Sequence, residues 1–305
     1  MEDTLVALSN TLAEAVERAS RYVAAVNARR HLSSSGVHWK QGVIVTADHA
    51  IKREEEIAVT LPDGRSAPAK LAGRDPGTDL AVVTVEGAQF ASVEIAPSES
   101  VKPGILVLAV GRSAEAGVNA TMGVVSSVSG RWQTWRGGMV DQLIRLDVAL
   151  YPGASGGAVV DVQGRLLGMA TSGLSRMAGL AIPASTVSRV AEELLAKGHI
   201  VRGYLGLGLQ RVALPDRLTN VPQWPGSNAG LIVLTVERNG PADRAGVLIG
   251  DILLALGGKR LNEAGDLQAA LGAETVGNTI PAKILRGGVL KEIPITVAER
   301  LYRRG

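Results

Sequence analysis

The sequence predicts a mainly β chain, a strand-built barrel or sandwich followed by a small mixed α+β domain. Three observations carry that expectation. From about residue 22 to about residue 170, short apolar runs are cut by turn signals such as "PDGR", "DPGTD" and "QGR", the pattern of many short strands. At 183–198, "PASTVSRVAEELLAKG" breaks that rhythm with a helical period. After "HIVRGYLGLGLQRV" the composition shifts to a Pro-, Asn- and Gly-rich stretch and then to alternating strand and helix patterns.

The chain opens on "MEDTLVALSNTLAEAVERASRYVAAV", in which Leu5, Leu8, Leu12, Ala15 and Val16 recur at helical spacing. A surface or packing helix over 1–20 is expected. Glu2, Asp3, Glu14 and Glu17 interrupt it, and no basic stretch precedes an uninterrupted apolar run, so as written it does not read as a secretory signal. No other window reaches membrane-spanning length free of charge. On the chain as it stands the expected compartment is cytoplasmic. Strands are expected at "YVAAVNA", "GVIVTA", "EIAVTL", "LAVVTV", "ILVLAV", "GVVSSV", "LIRLDVAL", "GAVVDV" and "LLGMAT". The 183–198 helix has a start signal at Ser185/Thr186 and a stop at Gly198. A long loop is expected over 214–230. Beyond it come strand "LIVLTV", a short helix at "PADRAG", strand "DILLAL", turn "GGKR", helix "EAGDLQAAL" and a hairpin of "TIPAKILRGG" with "KEIPITVAER". The expected organisation is a helix over 1–20, a strand-rich domain over 21–200 and an α+β domain over 203–300.

Composition narrows the function. The 305 residues are enough for two domains. They are 46% hydrophobic but only 3% aromatic, with Phe90 the single Phe, so the core must be built from Val, Leu, Ile and Ala. A net charge of +3, with Lys and Arg scattered along the chain, argues against a nucleic-acid partner. Cys is absent, which excludes disulfides, thiolate metal sites and a Cys nucleophile. Four His, at 31, 38, 49 and 199, exclude a His-rich metal cluster. No metal or cofactor is expected.

The chemistry concentrates in "YPGASGGAVV" (151–160), where small residues crowd Ser155. The loose G-x-S-x-G pattern allows three readings. A nucleophile elbow needs a helix directly after the serine and the order Ser, acid, His. Here "GGAVVDVQGRLLGMA" reads as a hairpin, and the only downstream His is His199. A chymotrypsin-type site needs His, Asp and Ser in that order among strands, and His49 and Asp79 supply it, with Asp48 and Asp75 as local competitors for the acid role. A Gly-rich hairpin without chemistry is the third reading.

"TADHAI" (46–51), "DPGTDLAVVTV" (75–85) and "YPGASGGAVVDVQGRLLGMAT" (151–171) resemble the HtrA/Deg family of chymotrypsin-like serine proteases, and "GLIVLTVERNGPADRAGVLIGDILLALGGKRL" resembles the PDZ domain that follows the protease there. The chain departs from that family's usual residues at Ala47, Asp48, Ala154 and Ala158, none of which carries a triad group. The resemblance implies a chymotrypsin-like double β-barrel protease domain followed by a small α+β PDZ-like domain. It implies His49 as general base, Asp79 as its orienting acid and Ser155 as nucleophile, acting on unfolded or damaged proteins without ATP. It also implies a periplasmic setting and a homotrimer. Backbone N–H groups of Gly153 and Ser155 would form the oxyanion hole, and Leu150 would line an apolar P1 pocket. In "GYLGLGLQ" (203–210), Tyr204, Leu205, Gly206 and Leu207 would form a carboxylate-binding loop and first peptide-binding strand. Leu205 and Leu207 would meet Leu267 and Leu271 around the last side chain of a bound C-terminus. The rival reading is a non-catalytic peptide-binding or chaperone-like protein with a decayed site.

Overall fold

A computed structural model describes residues 2–30, 32–88, 90–175, 177–215 and 228–299. His31, and most of the loop expected over 214–230, lie outside the described residues. The chain divides into Met1–Ile200 and Val201–Gly305.

The first unit holds two closed six-stranded barrels. In one, β1 (Val23–Asn27), β2 (Ser34–Lys40), β3 (Val43–Ala47), β4 (Ile57–Thr60), β5 (Ser66–Asp75) and β6 (Leu80–Val85) close in the order β1-β2-β3-β6-β5-β4. In the other, β7 (Leu106–Ser113), β8 (Gly117–Ser129), β11 (Leu143–Asp147), β12 (Ala158–Val160), β13 (Leu166–Thr171) and β14 (Gly179–Pro183) close in the order β11-β14-β13-β12-β7-β8. A small hairpin of β9 (Trp132–Gln133) and β10 (Met139–Val140) stands outside that ring. This is the double-barrel architecture expected above. Runs such as "VIVTA" and "LLGMAT" are buried along their whole length, which is why they read as continuous apolar stretches.

Small branched side chains fill the barrels. Ala24, Val26, Ile44, Val59, Ala81 and Val83 pack the first, and Val107, Val125, Ile144, Leu146, Val159 and Ala181 the second. Two helices tie the barrels together. Helix α1 (Glu2–Ser20) presses Ala15 and Ala19 onto Val23 and Val37 of the first barrel and Leu108 and Ala158 of the second. Helix α2 (Ala184–Lys197) lays Val187, Val190 and Leu194 over Val45 and Leu80 on one side and Met169 and Ile182 on the other. Helix α2 ends at Gly198, in the left-handed region at φ +77° with its N–H donated to Leu194 O, as the Gly stop signal requires. Its start differs from expectation. The helix begins at Ala184 behind Pro183, and the buried Thr186 hydroxyl instead accepts the Asp141 N–H at 2.9 Å.

The second unit is an α+β domain. Strands β16 (Leu207–Ala213), β17 (Ala229–Val236), β18 (Ile252–Leu256), β20 (Thr279–Arg286) and β21 (Val289–Thr296) lie in that order, and β19 (Lys259–Arg260) pairs with β18. β15 (Gly203–Tyr204) pairs with β22 (Ala298–Glu299). Helices α3 (Pro241–Arg244) and α4 (Ala264–Ala270) complete it. Helix α4 starts in a reciprocal cap between Glu263 and Asp266. Leu231, Val233, Leu253, Leu261 and Ile284 form its core.

Candidate active site

His49 sits in a single 3-10 turn, Asp48–Ala50, at the end of β3. Asp79 lies at the start of β6, next in the barrel order. Its backbone is left-handed, φ +59°, a conformation Asp tolerates better than most residues. The carboxylate accepts from three groups, two on His49 and one on Thr171 at the end of β13. The His49 backbone N–H meets Oδ1 at 2.9 Å, the ring Nδ1 meets Oδ1 at 2.9 Å and Oδ2 at 2.8 Å, and the Thr171 hydroxyl donates to Oδ2. Asp79 is 1% exposed, while the His49 side chain is 26% exposed, so the pair is closed behind and open in front.

The three upstream acids separate cleanly. Asp75 caps its own turn, accepting the N–H of Gly77 at 2.9 Å and of Thr78 at 3.2 Å and the Thr78 hydroxyl at 2.7 Å. Asp48 is buried against Arg74, whose Nε donates to its carboxylate at 2.5 Å. Burial pushes the Asp48 carboxyl up and the Arg74 hydrogen bond pulls it back. Only Asp79 meets the imidazole.

Ser155 reaches the same cleft from the loop between β11 and β12. A turn closed by Ala154 N–H to Tyr151 O at 2.9 Å places Pro152 and Gly153 at its centre, and Gly153 has φ +90°, the conformation a type II turn demands at that position. The turn hangs on β2. Ser35 donates its N–H to Gly153 O at 2.9 Å and its hydroxyl to the same oxygen at 2.8 Å, while the Arg112 N–H is donated to the Ser35 hydroxyl at 3.0 Å. Among the described residues the N–H groups of Gly153 and Ser155 donate to no acceptor. The Ser155 hydroxyl pairs with the Ser172 hydroxyl at 3.1 Å and accepts the Ser172 N–H at 3.2 Å. No hydrogen bond joins it to His49 among the described residues.

A cleft of about 290 Å³ is shared by His49, Ser155, Gly153, Leu150, Ser172 and Arg29. The structure therefore gathers the sequence-singled His49, Asp79, Ser155, Gly153 and Leu150 around one place. It adds Ser35, Thr171, Ser172 and Gly173, which the sequence reading missed. Gly173 leaves no room for a side chain. A Cβ there would stand 2.5 Å from His49 Nδ1 and 2.6 Å from Asp79 Oδ2. The only sequence signal was position, two residues past the apolar run "LLGMAT" that pairs with the strand following Ser155. An imidazole held by a buried carboxylate, beside a serine hydroxyl and unbonded amides, can take the hydroxyl proton and hold a developing oxyanion. Among the described residues no three His, Asp or Glu could hold a metal ion.

In the second unit, Leu205, Leu267 and Leu271 are each at most 8% exposed and belong to the core, with Leu207 packed against it. Gly206 has φ +77°. The carbonyls of Leu205 and Gly206 accept the N–H of Ala242 and Glu237, at 2.9 and 2.8 Å. Their own N–H groups donate to no acceptor among the described residues. β16 ends the sheet order, so one of its edges is unpaired by strands.

Two closed barrels with this carboxylate–imidazole–serine arrangement, followed by this α+β unit, define a trypsin-like serine peptidase domain joined to a PDZ domain. Family comparison agrees. Residues 34–169 match the trypsin-like peptidase domain and residues 203–297 the PDZ domain. A probable periplasmic DegP-like serine endoprotease of Halomonas elongata is 30% identical over 279 residues, 89% of this chain and 57% of that protein. Its counterpart in Chlamydia pneumoniae is 32% identical over 267 residues, 85% of this chain and 53% of that protein. The chain thus spans little more than half the length of these curated relatives. Among solved structures, the HtrA-type protease AlgW with a decapeptide has a TM-score of 0.77 at 29% identity, covering 95% of this chain and 99% of that one. The serine endoprotease from Yersinia pestis has a TM-score of 0.75 at 30% identity, covering 95% and 98%. The chain belongs to the HtrA/Deg family.

Proposed function

We propose that the chain is an ATP-independent serine endopeptidase that cleaves unfolded or damaged polypeptides through an acyl-enzyme. The observation that carries the reading is His49 pinned by Asp79 in the cleft that holds Ser155. Ser155 attacks the scissile carbonyl as His49 takes its proton. Asp79 fixes the ring and stabilises its charged form, and the N–H groups of Gly153 and Ser155 hold the oxyanion. His49 then protonates the departing amine, and water releases the acyl group by the same route. Leu150 lines the P1 pocket and favours small or medium aliphatic residues. The second unit docks peptide C-termini. The unbonded N–H groups of Leu205 and Gly206 receive the carboxylate, and β16 accepts the peptide as an added strand beside α4. The relatives' names support a periplasmic setting. Homotrimeric assembly rests on the family resemblance alone.

The rival is a non-catalytic peptide-binding protein, favoured by one observation, the pairing of Ser155 with Ser172 instead of His49. Catalytic hydrogen bonds are often long or misaligned before substrate binds, so turnover decides. Casein hydrolysis by the purified chain is expected, with loss in Ser155→Ala and a nearly equal loss in His49→Ala, because triad members act as a unit. Hydrolysis retained by folded Ser155→Ala overturns the assignment, and no hydrolysis by the unmodified chain, with or without a C-terminal peptide present, favours the rival.

A further inference from the structure

Arg29 follows β1 at the mouth of the cleft, and its bonding is unusual for a half-buried cation. Its Nε donates to Ala50 O at 2.9 Å and one terminal nitrogen to His49 O at 3.3 Å. The other terminal nitrogen, Nη1, makes no hydrogen bond among the described residues, and no carboxylate among them lies within ion-pair distance of the guanidinium. Burial pulls the guanidinium below its ordinary value, and the charge of Asp79 offsets part of that. Asp79 itself is already engaged by His49 and Thr171. Among the residues lining the cleft, Arg29 is the one Arg, Lys, Asp or Glu. The cleft therefore carries one incompletely neutralised positive charge beside the reacting atoms.

Its side of the cleft follows from the chemistry. The acyl half of a substrate stays on Ser155, next to Leu150 and Ser172. The amine half leaves from His49, which gives it a proton. Arg29 is bonded to the carbonyls of Ala50 and His49, so it belongs to the His49 side of the cleft, the side from which the amine half departs.

We propose that Arg29 determines specificity for a carboxylate on the leaving-group side of the scissile bond, carried as Asp or Glu at the first or second residue past it. A carboxylate there meets Nη1 in a charge-assisted hydrogen bond inside a partly desolvated cleft. A Lys at the same place meets like charge. The proposal rests on the serine-peptidase reading above.

The test uses the full chain and internally quenched peptides of one sequence, amidated at the C-terminus, with Glu, Gln or Lys at the second residue past the bond. One more peptide ends there with a free carboxylate, which separates a side-chain carboxylate from a chain terminus. The Glu peptide is expected to exceed the Gln peptide in kcat/KM by about tenfold, the worth of one hydrogen bond to a charged group, with the Lys peptide slowest. Raised salt should shrink that advantage in the unmodified chain. Arg29→Gln should bring the Glu/Gln ratio to about one, Arg29→Lys should keep part of it, and Arg29→Glu should favour Lys. Turnover of all peptides at one rate, a ratio unmoved in Arg29→Gln, or preference for the free terminus over Glu overturns this proposal and leaves the peptidase reading standing. No turnover of any peptide, together with no casein hydrolysis, overturns both.

Discussion

His49 and Ser155 reach one cleft from different barrels and are held in different ways. The His49 ring is fixed by both oxygens of a carboxylate that also takes the His49 backbone N–H and the Thr171 hydroxyl. Gly173 closes over the pair with no space to spare. Ser155 has no such frame. Its hydroxyl sits on Ser172, and the turn before it hangs on Ser35 through the Gly153 carbonyl. The base half is over-determined by buried groups, while the nucleophile half is positioned by backbone and by hydroxyls that can rotate. A substitution should act on the first by displacement and on the second by release.

The largest expected effect is therefore at Gly173. In Gly173→Ala the new Cβ must push His49 or Asp79 aside, and displacements of about 1 Å cost about 100-fold in rate. Peptide kcat/KM is expected to fall by at least that much in a protein with unchanged circular dichroism. A near-normal rate would show that the base half gives way easily, and the comparison would collapse.

Ser35 probes the other half at intermediate scale. Ser35→Ala leaves the Gly153 carbonyl with the Ser35 N–H alone and removes the acceptor of the Arg112 N–H. Leaving that buried N–H unsatisfied should cost about 1–3 kcal/mol of stability in denaturant titration. With the turn loosened, kcat is expected to drop about tenfold at constant KM, less than the loss of an oxyanion donor itself. An unchanged kcat would remove Ser35 from the positioning role.

The same contrast explains what could be read from the sequence. The strand rhythm, the helix over 183–198 and the α+β tail follow from apolar period and Gly stops, and the structure meets them. The base and nucleophile candidates stood out because His is scarce and Ser155 is ringed by small residues. The framing residues did not. "SSSG" (33–36) looks like loop composition, yet Ser34 and Ser35 are buried in β2, because their hydroxyls find backbone partners, Val26 O on the neighbouring β1 and Gly153 O in the turn before Ser155. β5 was also missed, since Pro68 and Lys70 on an exposed, alternating face mask its pairing with β4 and β6. Which of three acids meets His49 depended on Arg74 and on the Asp75 turn, and no local pattern encodes that.

The smallest effect separates acid sensitivity of the fold from that of the base. His38, in the barrel that carries His49, is buried and stacked on Phe90 at 4.4 Å, and among the described residues neither ring nitrogen makes a hydrogen bond of normal geometry, the backbone of Ala91 and Lys40 lying near enough only to soften the effect of burial. Burial lowers its pKa from the ordinary imidazole value. Its folded form resists a proton that the unfolded chain accepts, so its contribution is fully present above the unfolded pKa, about 6.5. Stability of Met1–Ile200 is then expected to decline as pH falls from there and to level off below the folded value. His38→Leu should flatten that decline in thermal melts while the pH profile of hydrolysis keeps its shape. If both profiles flatten together, acid sensitivity of hydrolysis belongs to the fold and not to the base half.

The most direct test of the central claim, that the two halves meet to activate Ser155, is covalent capture by a fluorophosphonate followed by intact-protein mass and peptide mapping. The expected result is a single adduct on Ser155, absent in Ser155→Ala and formed at least about 100-fold more slowly in His49→Ala. An adduct elsewhere, or capture at Ser155 that proceeds undiminished without His49, would contradict it.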